Sequence, residues 1–215
     1  MDFREGREGG VTLGNIREKY ERSTVPIGKA LARIGLTPNM MTISSILISL
    51  LSLYYFYHKN LLYAFIIIVI AGILDIMDGA IARATGRVSK FGTLLDNTAD
   101  RVVEGIAILG LVIGGYIYGW IGVLTIMAMY LPSYIRARGE AELNINARGV
   151  GIFERKEKLG LLFGGMILLV LGVEYVFDLY ITSLDLMNMI CILIALGSII
   201  SSIQRLLYFK NQAKT

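Results

Sequence analysis

"DIMDGAIARATGRVSKFGTLLDNTADR", residues Asp75 to Arg101, sets four aspartates at the ends of two apolar runs. Asp75 and Asp78 close the run that begins at Leu61, and Asp96 and Asp100 open the next. Spacings of three and four residues put each pair on one stripe of a helix. With a rise of ~1.5 Å per residue, Asp75 and Asp78 stand roughly 12 and 7 Å from Arg83, and Asp96 and Asp100 roughly 6 and 12 Å from Gly92. A short link makes the two helices antiparallel neighbours. Four carboxylates then share one depth, with Gly79 and Ala82 on the first stripe and Gly92 on the second.

The surroundings are apolar. Of 215 residues, 55% are hydrophobic, and the mean hydropathy is +0.62. Near-continuous apolar stretches run over Met40–Tyr57, Leu61–Ile81, Ile106–Leu131, Leu159–Val176 and Leu186–Leu207. Each approaches or exceeds the ~20 residues a helix needs to cross a hydrocarbon core of ~30 Å. The expected fold is an all-α integral membrane protein forming one domain over residues 1–215. About 1–36 would be a juxtamembrane segment and 37–215 a six-helix bundle. No apolar core follows Met1 closely, so no cleavable signal peptide is expected. Cys191 is the only cysteine and His58 the only histidine, which disfavours a disulfide framework, a cysteine zinc site and Ser/His or Cys/His nucleophile pairs. Chemistry in this chain falls to carboxylates and arginines.

Basic residues sort by segment. Arg4, Arg7, Arg17, Lys19, Arg22, Lys29 and Arg33 precede the first span; the next link holds only Lys59. Arg83, Arg87 and Lys90 follow, then the uncharged "GGYIYGWIG" (114–122), where spans three and four meet. The link from Arg136 to Lys158 is strongly basic, the one with Glu174, Asp178 and Asp185 is acidic, and Arg205, Lys210 and Lys214 close the chain. Cytoplasmic loops are rich in Lys and Arg. Six spans in the cell membrane, with both termini and the aspartates on the cytoplasmic side, satisfy this alternation. Before the first span, Ile16, Tyr20, Ile27, Leu31 and Ile34 recur at helical spacing among basic residues, with Pro26 breaking or kinking the run. This reads as an amphipathic helix on the inner membrane surface, with a solvated tail as the alternative.

Four like charges in a partly dry site repel, and ionised Asp inside a membrane is costly. Protonation is one remedy. Hard divalent cations with oxygen ligands are the other: two Mg²⁺ ions about 4 Å apart, or Mn²⁺ in their place, would clamp a phosphate undergoing displacement. A lone Asp at a helix end reads as a cap or a surface charge. Four on adjoining spans, interleaved with small residues, do not.

Asp75 to Asp100 resembles, without a departure, the signature of the CDP-alcohol phosphotransferases, D-x2-D-G-x2-A-R-x8-G-x3-D-x3-D. The resemblance implies six helices and a reaction in which an acceptor alcohol attacks the lipid-linked phosphate of a CDP-lipid, releasing CMP. It further implies that Asp75, Asp78 and Asp96 hold the metals, that Asp100 touches one and takes the acceptor's proton, and that Gly79, Ala82, Arg83 and Gly92 border the CDP. Thr42, four residues after Pro38, is a further candidate nucleotide contact. Homodimerisation is also a family expectation.

"SYIRARGEAEL", "GIFERKEKL" and "SIQRLL" gather Ser133, Arg136, Arg138, Arg155, Lys156, Lys158 and Arg205. Arginine suits bidentate phosphate binding, although each alone could be an inner-face anchor. Together they are similar to the inositol-phosphate-accepting branch of the family, the phosphatidylinositol phosphate synthases and their archaeal ether-lipid counterparts. By that likeness Ser133, Arg136, Arg138, Arg155 and Arg205 cradle the phosphate of inositol 1-phosphate. Gly139 stands where that branch has Ala. Glu104 is either the ion-pair partner of Arg101 or a polyol contact. Glycerol 3-phosphate or another polar alcohol is the alternative acceptor. Rivals are a cation-coupled transporter, since intramembrane carboxylates also bind transported ions, and a membrane prenyltransferase. Membrane lipids are expected partners; nucleic acid is not.

Overall fold

The computed structural model describes residues 24–173, 176–179 and 182–213. Residues 24–33 form α1, followed by α2 (Pro38–Tyr57), α3 (Leu61–Thr85), α4 (Lys90–Ile113), α5 (Gly119–Leu143), α6 (Arg155–Val170), β1 (Val176–Leu179), β2 (Thr182–Asp185) and α7 (Leu186–Gln212). Short polar residues start α2, α3, α4 and α7. Thr37 Oγ1 accepts from Met40 N–H at 3.3 Å, with Pro38 in the first helical position, where its missing N–H costs nothing. Asn60 caps α3, Ser89 caps α4 and Asp185 caps α7 in the same way. The α3 helix stops at Gly86, which takes φ +65° so that Arg87 N–H can reach the Ala82 carbonyl at 3.0 Å.

The chain divides into two compact units, one of residues up to 47 with 70–100, the other of 48–69 with 101–215. In the first, α1 meets α3 at Gly28, where any Cβ would run into the Ala80 carbonyl. The second holds a continuous apolar core, in which Phe56, Ile68, Leu111, Met129, Met166 and Ile194 are buried. Gly110 lies against the Phe56 ring with no room for a side chain between them. On α7, Ser198, Ser201, Ser202 and Arg205 form a buried polar stripe. Ser198 and Ser202 spend their hydroxyls on the carbonyls one turn back, which keeps them satisfied where water is scarce. The 144–154 segment is held by that stripe through Ser201 with Phe153, Gln204 with Ile152, Arg205 with Val150, and Tyr208 with Asn146.

Among the described residues three helices, α2, α3 and α7, are long and apolar enough to cross a membrane, and exposed Ile43, Leu47, Leu50 and Tyr54 give α2 an apolar outer face. The protein is a membrane protein of helical architecture. The link between the last two helices adds what sequence periodicity did not indicate, a small antiparallel hairpin with Phe177 opposite Leu184. Strands of four residues are too short to carry a period-2 signal beside long apolar runs. Pro26 lies in the first turn of the described part of α1, and residues 16–23, on which the expected break or kink depends, lie outside the described residues. Of the juxtamembrane stripe, Ile27 and Ile34 are exposed and Leu31 is half-buried, while Ile16, Tyr20 and the basic residues Arg4, Arg7, Arg17, Lys19 and Arg22 lie outside the described residues, as do Glu174 and Lys214.

At Gly139 a Cβ would collide with the Phe209 ring, so the departure from Ala has a packing cause. Gly139→Ala is expected to lose about 1–3 kcal/mol through overpacking, more than the ~1 kcal/mol of helix propensity it gains. Pairing it with Phe209→Leu should recover stability; thermal unfolding in detergent measures both.

Candidate functional site

The four aspartates arise from two helices of the first unit. Helix α3 carries Asp75 and Asp78 in its last three turns, and α4 carries Asp96 and Asp100 in its first three. Asp75, Asp78 and Asp96 each bring one carboxylate oxygen to a place where all three oxygens lie within 4.8 Å of one another. Asp78 is buried, and the other two are half-buried. Asp100, one turn beyond Asp96 and 7% exposed, is not one of the three that meet. Three hard, anionic oxygens at this separation form a donor set that fits a divalent cation, while three ionised carboxylates with nothing between them would repel by several kcal/mol.

Thr42, from the start of α2, is buried and donates its hydroxyl to Asp78 Oδ2. The Pro38 carbonyl stands 3.1 Å from the same hydroxyl. The sequence suggested Thr42 as a nucleotide contact; its hydroxyl orients the Asp78 carboxylate, and the residue also lines the cleft beside it.

Beside the carboxylates lies a cleft of about 400 Å³ lined by Pro38, Asn39, Thr42, Asp78, Gly79, Ala82, Arg83, Arg87, Val88, Ser89, Gly92, Thr93 and Asp96. All four signature residues expected to border a nucleotide are in this wall. Gly79 matters because Arg83 folds back over it: a Cβ there would stand 3.1 Å from the guanidinium. Arg83 Nη2 donates to Thr24 Oγ1 of α1 at 3.3 Å. At Gly92 a Cβ would approach Ser89 Oγ at 3.0 Å and Asn39 Oδ1 at 3.7 Å, so glycine keeps the wall open. Asn39, Arg87, Ser89 and Thr93 were given no part in the site from the sequence. Ser89 and Asn39 carried a signal only as polar residues at helix starts.

The second unit gathers the cations of the 136–158 link. Glu104 of α4, 3% exposed, accepts from Arg155 Nε at 2.8 Å through Oε1. Arg101 Nη1 stands 2.8 Å from Oε2, a charge contact without hydrogen-bond alignment, so that oxygen has no aligned donor. Lys158 is 4% exposed; burial, with Arg101 and Arg205 nearby, pulls its ammonium down to about 8 against the opposing charge of Glu104. The sequence counted Lys158 with the link but gave it no role. Arg205, also buried, donates from Nε to the Val150 carbonyl at 2.9 Å and from Nη1 to the Pro132 carbonyl at 2.5 Å.

Arg136 pairs with Glu140 at 3.0 Å. Burial pushes the Glu140 carboxyl up, but hydrogen bonds from Ala147 N–H and Arg136, with the charges of Arg136 and Arg148, hold it below its ordinary value. Ser133 lies half-buried one turn before Arg136. Arg138 has its side chain 60% exposed and paired with Glu142, and its place two residues along the helix turns it away from Arg136.

The model of the CDP-alcohol phosphatidyltransferase family matches residues 35–203. An archaetidylinositol phosphate synthase of Pyrococcus horikoshii is 42% identical over 151 residues, covering 70% of this chain and 80% of the relative. The crystal structure of Mycobacterium tuberculosis phosphatidylinositol phosphate synthase with CDP-DAG bound is similar at TM-score 0.73 and 28% identity, over 87% of this chain and 94% of that one. The same enzyme in complex with manganese and citrate matches at TM-score 0.72 and 28% identity, over 86% and 88%.

Thr42→Val keeps the shape and removes the hydroxyl that orients Asp78. Loss of such an outer partner weakens metal binding ~10–100-fold in comparable sites, and a titration of the purified protein with Mn²⁺ followed by electron paramagnetic resonance should show a rise of this size.

Proposed function

The chain belongs to the CDP-alcohol phosphatidyltransferase family, and from that membership we propose the reaction it performs in phospholipid biosynthesis. It transfers the phosphatidyl or archaetidyl group of a CDP-lipid to inositol 1-phosphate and releases CMP. The acceptor hydroxyl oxygen forms a bond to the lipid-side phosphorus, the bond from that phosphorus to the oxygen bridging to CMP breaks, and CMP leaves with the electron pair. Membership removes the transporter and prenyltransferase readings.

The observation that carries this reading is the meeting of three signature carboxylates beside the cleft walled by Gly79, Ala82, Arg83 and Gly92. Asp75, Asp78 and Asp96 bind divalent metal; two Mg²⁺, or Mn²⁺, are the ions that suit carboxylate and phosphate oxygens. When bound, the cation supplies positive charge against the pyrophosphate. Asp100 takes the proton of the attacking hydroxyl, a task for a carboxylate within hydrogen-bond reach of it, and its proposed contact with a metal follows the family pattern. Arg83, held by Thr24, offers its guanidinium to the nucleotide phosphates. Thr42 sets the Asp78 carboxylate and borders the CDP.

For the acceptor, Ser133, Arg136, Arg155 and Arg205 form the cradle, with Arg138 at its exposed edge and Lys158 added. Charge supports this. Arg101, Arg136, Arg148, Arg155, Lys158 and Arg205 stand in one electrostatic neighbourhood with Glu104, Glu140 and Glu154, so cations outnumber carboxylates there, a balance that favours a phosphate monoester dianion. The P. horikoshii relative's name points to the same acceptor class.

The membrane arrangement completes the proposal: six spans, the inner-surface helix before them, one domain, both termini and the site facing the cytoplasm, and a homodimer in the cell membrane. Its support is the alternation of basic and uncharged links and, for the dimer, the family pattern. Lipid tails of the donor remain in the bilayer while the nucleotide occupies the cleft.

Incubating the purified chain with CDP-lipid, Mg²⁺ and inositol 1-phosphate should yield CMP and a lipid heavier by the inositol phosphate, read by mass spectrometry. Preference for glycerol 3-phosphate would overturn the acceptor. Asp100→Asn is expected to lower kcat ~10²–10⁴-fold with the donor KM little changed, and Arg155→Gln should raise the acceptor KM more than Arg138→Gln.

A further inference from the structure

We propose that Glu104 is a positioning residue for the acceptor, a buried carboxylate that fixes the guanidinium groups of Arg155 and Arg101 from behind so that they meet the acceptor phosphate as a set. The inference rests on the acceptor reading above and gives one residue of that site a task the signature does not cover. Glu104 lies outside the eight signature positions, four residues past the last of them.

The geometry has three parts. Glu104 is 3% exposed at its side chain, while its partners Arg155 and Arg101 are 43% and 22% exposed. The carboxylate is therefore the inner member of each pair and the guanidinium groups are the outer ones. Arg155 is gripped through Nε, the inner edge of its fork. A guanidinium held along one edge has lost rotamer freedom before any ligand arrives, which reduces the ordering cost of binding. The second oxygen of Glu104, buried and without an aligned donor, faces Arg101 by charge while the first accepts from Arg155, so the carboxylate sits between the two guanidinium groups.

Lys158 extends the arrangement. The charged groups that face it are Arg101 and Glu104 from α4 and Arg205 from α7, and Glu104 alone among them favours the ammonium. With its pKa near 8, the Lys158 ammonium is lost as pH rises through that value. Neutralising Glu104 removes the one group that opposes this loss, so the ammonium disappears at lower pH. A purely structural bridge between α4 and α6 would leave the pH at which acceptor binding weakens where it was.

The test uses the full-length protein in lipid nanodiscs, CDP-lipid and inositol 1-phosphate, from pH 6 to 9.5. Glu104→Gln, equal in shape, should raise the acceptor KM about tenfold or more, leave the donor KM within about twofold, and move the alkaline limb of kcat/KM for the acceptor down by about half a pH unit or more. Glu104→Asp keeps the charge but shortens the reach; it should raise the acceptor KM several-fold, hold the limb near its wild-type position, and serve if the Gln variant does not fold. An unchanged acceptor KM in either variant, or equal rises in both KM values with a lowered unfolding temperature, overturns the positioning role. Failure of the wild-type protein to use inositol 1-phosphate overturns the acceptor reading instead, independently of either variant.

Discussion

Mutual repulsion among Asp75, Asp78 and Asp96 is the constraint on which the site depends. Carboxylate oxygens within 4.8 Å of one another oppose each other by roughly 3–4 kcal/mol per pair at an effective dielectric of ~20. A fold that brings them together at the polar end of an apolar helix pair stores a demand for positive charge. A divalent cation meets it with the ligands such ions favour, and a ligand bearing phosphates can then be drawn to the same spot. The Thr42 hydroxyl on Asp78, the serine cap of α4 and the glycines at 79 and 92 are arranged around that demand. They orient an oxygen, set where a helix begins, or keep side-chain atoms out of the cleft.

The proposed acceptor cradle places a second, opposite demand on the other unit. There the problem is excess positive charge, and Glu104 and Glu140 temper it. A cradle with no carboxylates would hold its arginines apart by repulsion and leave Lys158, buried at 4% exposure, without a favourable neighbour. Too many carboxylates would cancel the attraction for the substrate. Arg205 shows the balance in another form. Its donors serve the Val150 and Pro132 carbonyls, so one guanidinium both anchors the segment leading into α6 and contributes charge near the proposed acceptor.

The sequence made the aspartate pattern legible because helical periodicity and a short link are enough to align two stripes, and because apolar runs leave acids conspicuous. Asn60, Ser89 and Gly86 carry local signals for the starts of α3 and α4 and the stop of α3, which the reading of apolar runs and charges did not use. Three things were not legible. Thr42 on Asp78 joins residues 36 positions apart, a pairing no local pattern encodes. Lys158 is buried with charged groups from distant segments, Arg101, Glu104 and Arg205, around it, whereas its neighbours Lys156 and Glu157 on the same helix are exposed. The outward turn of Arg138 follows from which face of α5 carries Ile135 and Gly139 into contact with Phe209, and composition alone treated Arg136 and Arg138 alike.

Locating the metal directly tests the central claim. Crystals of the protein grown with CDP-lipid and Mn²⁺, measured at the manganese absorption edge, should give anomalous density within bonding distance of carboxylate oxygens of Asp75, Asp78 and Asp96. Density elsewhere, or none at those oxygens with the nucleotide in its cleft, would contradict it.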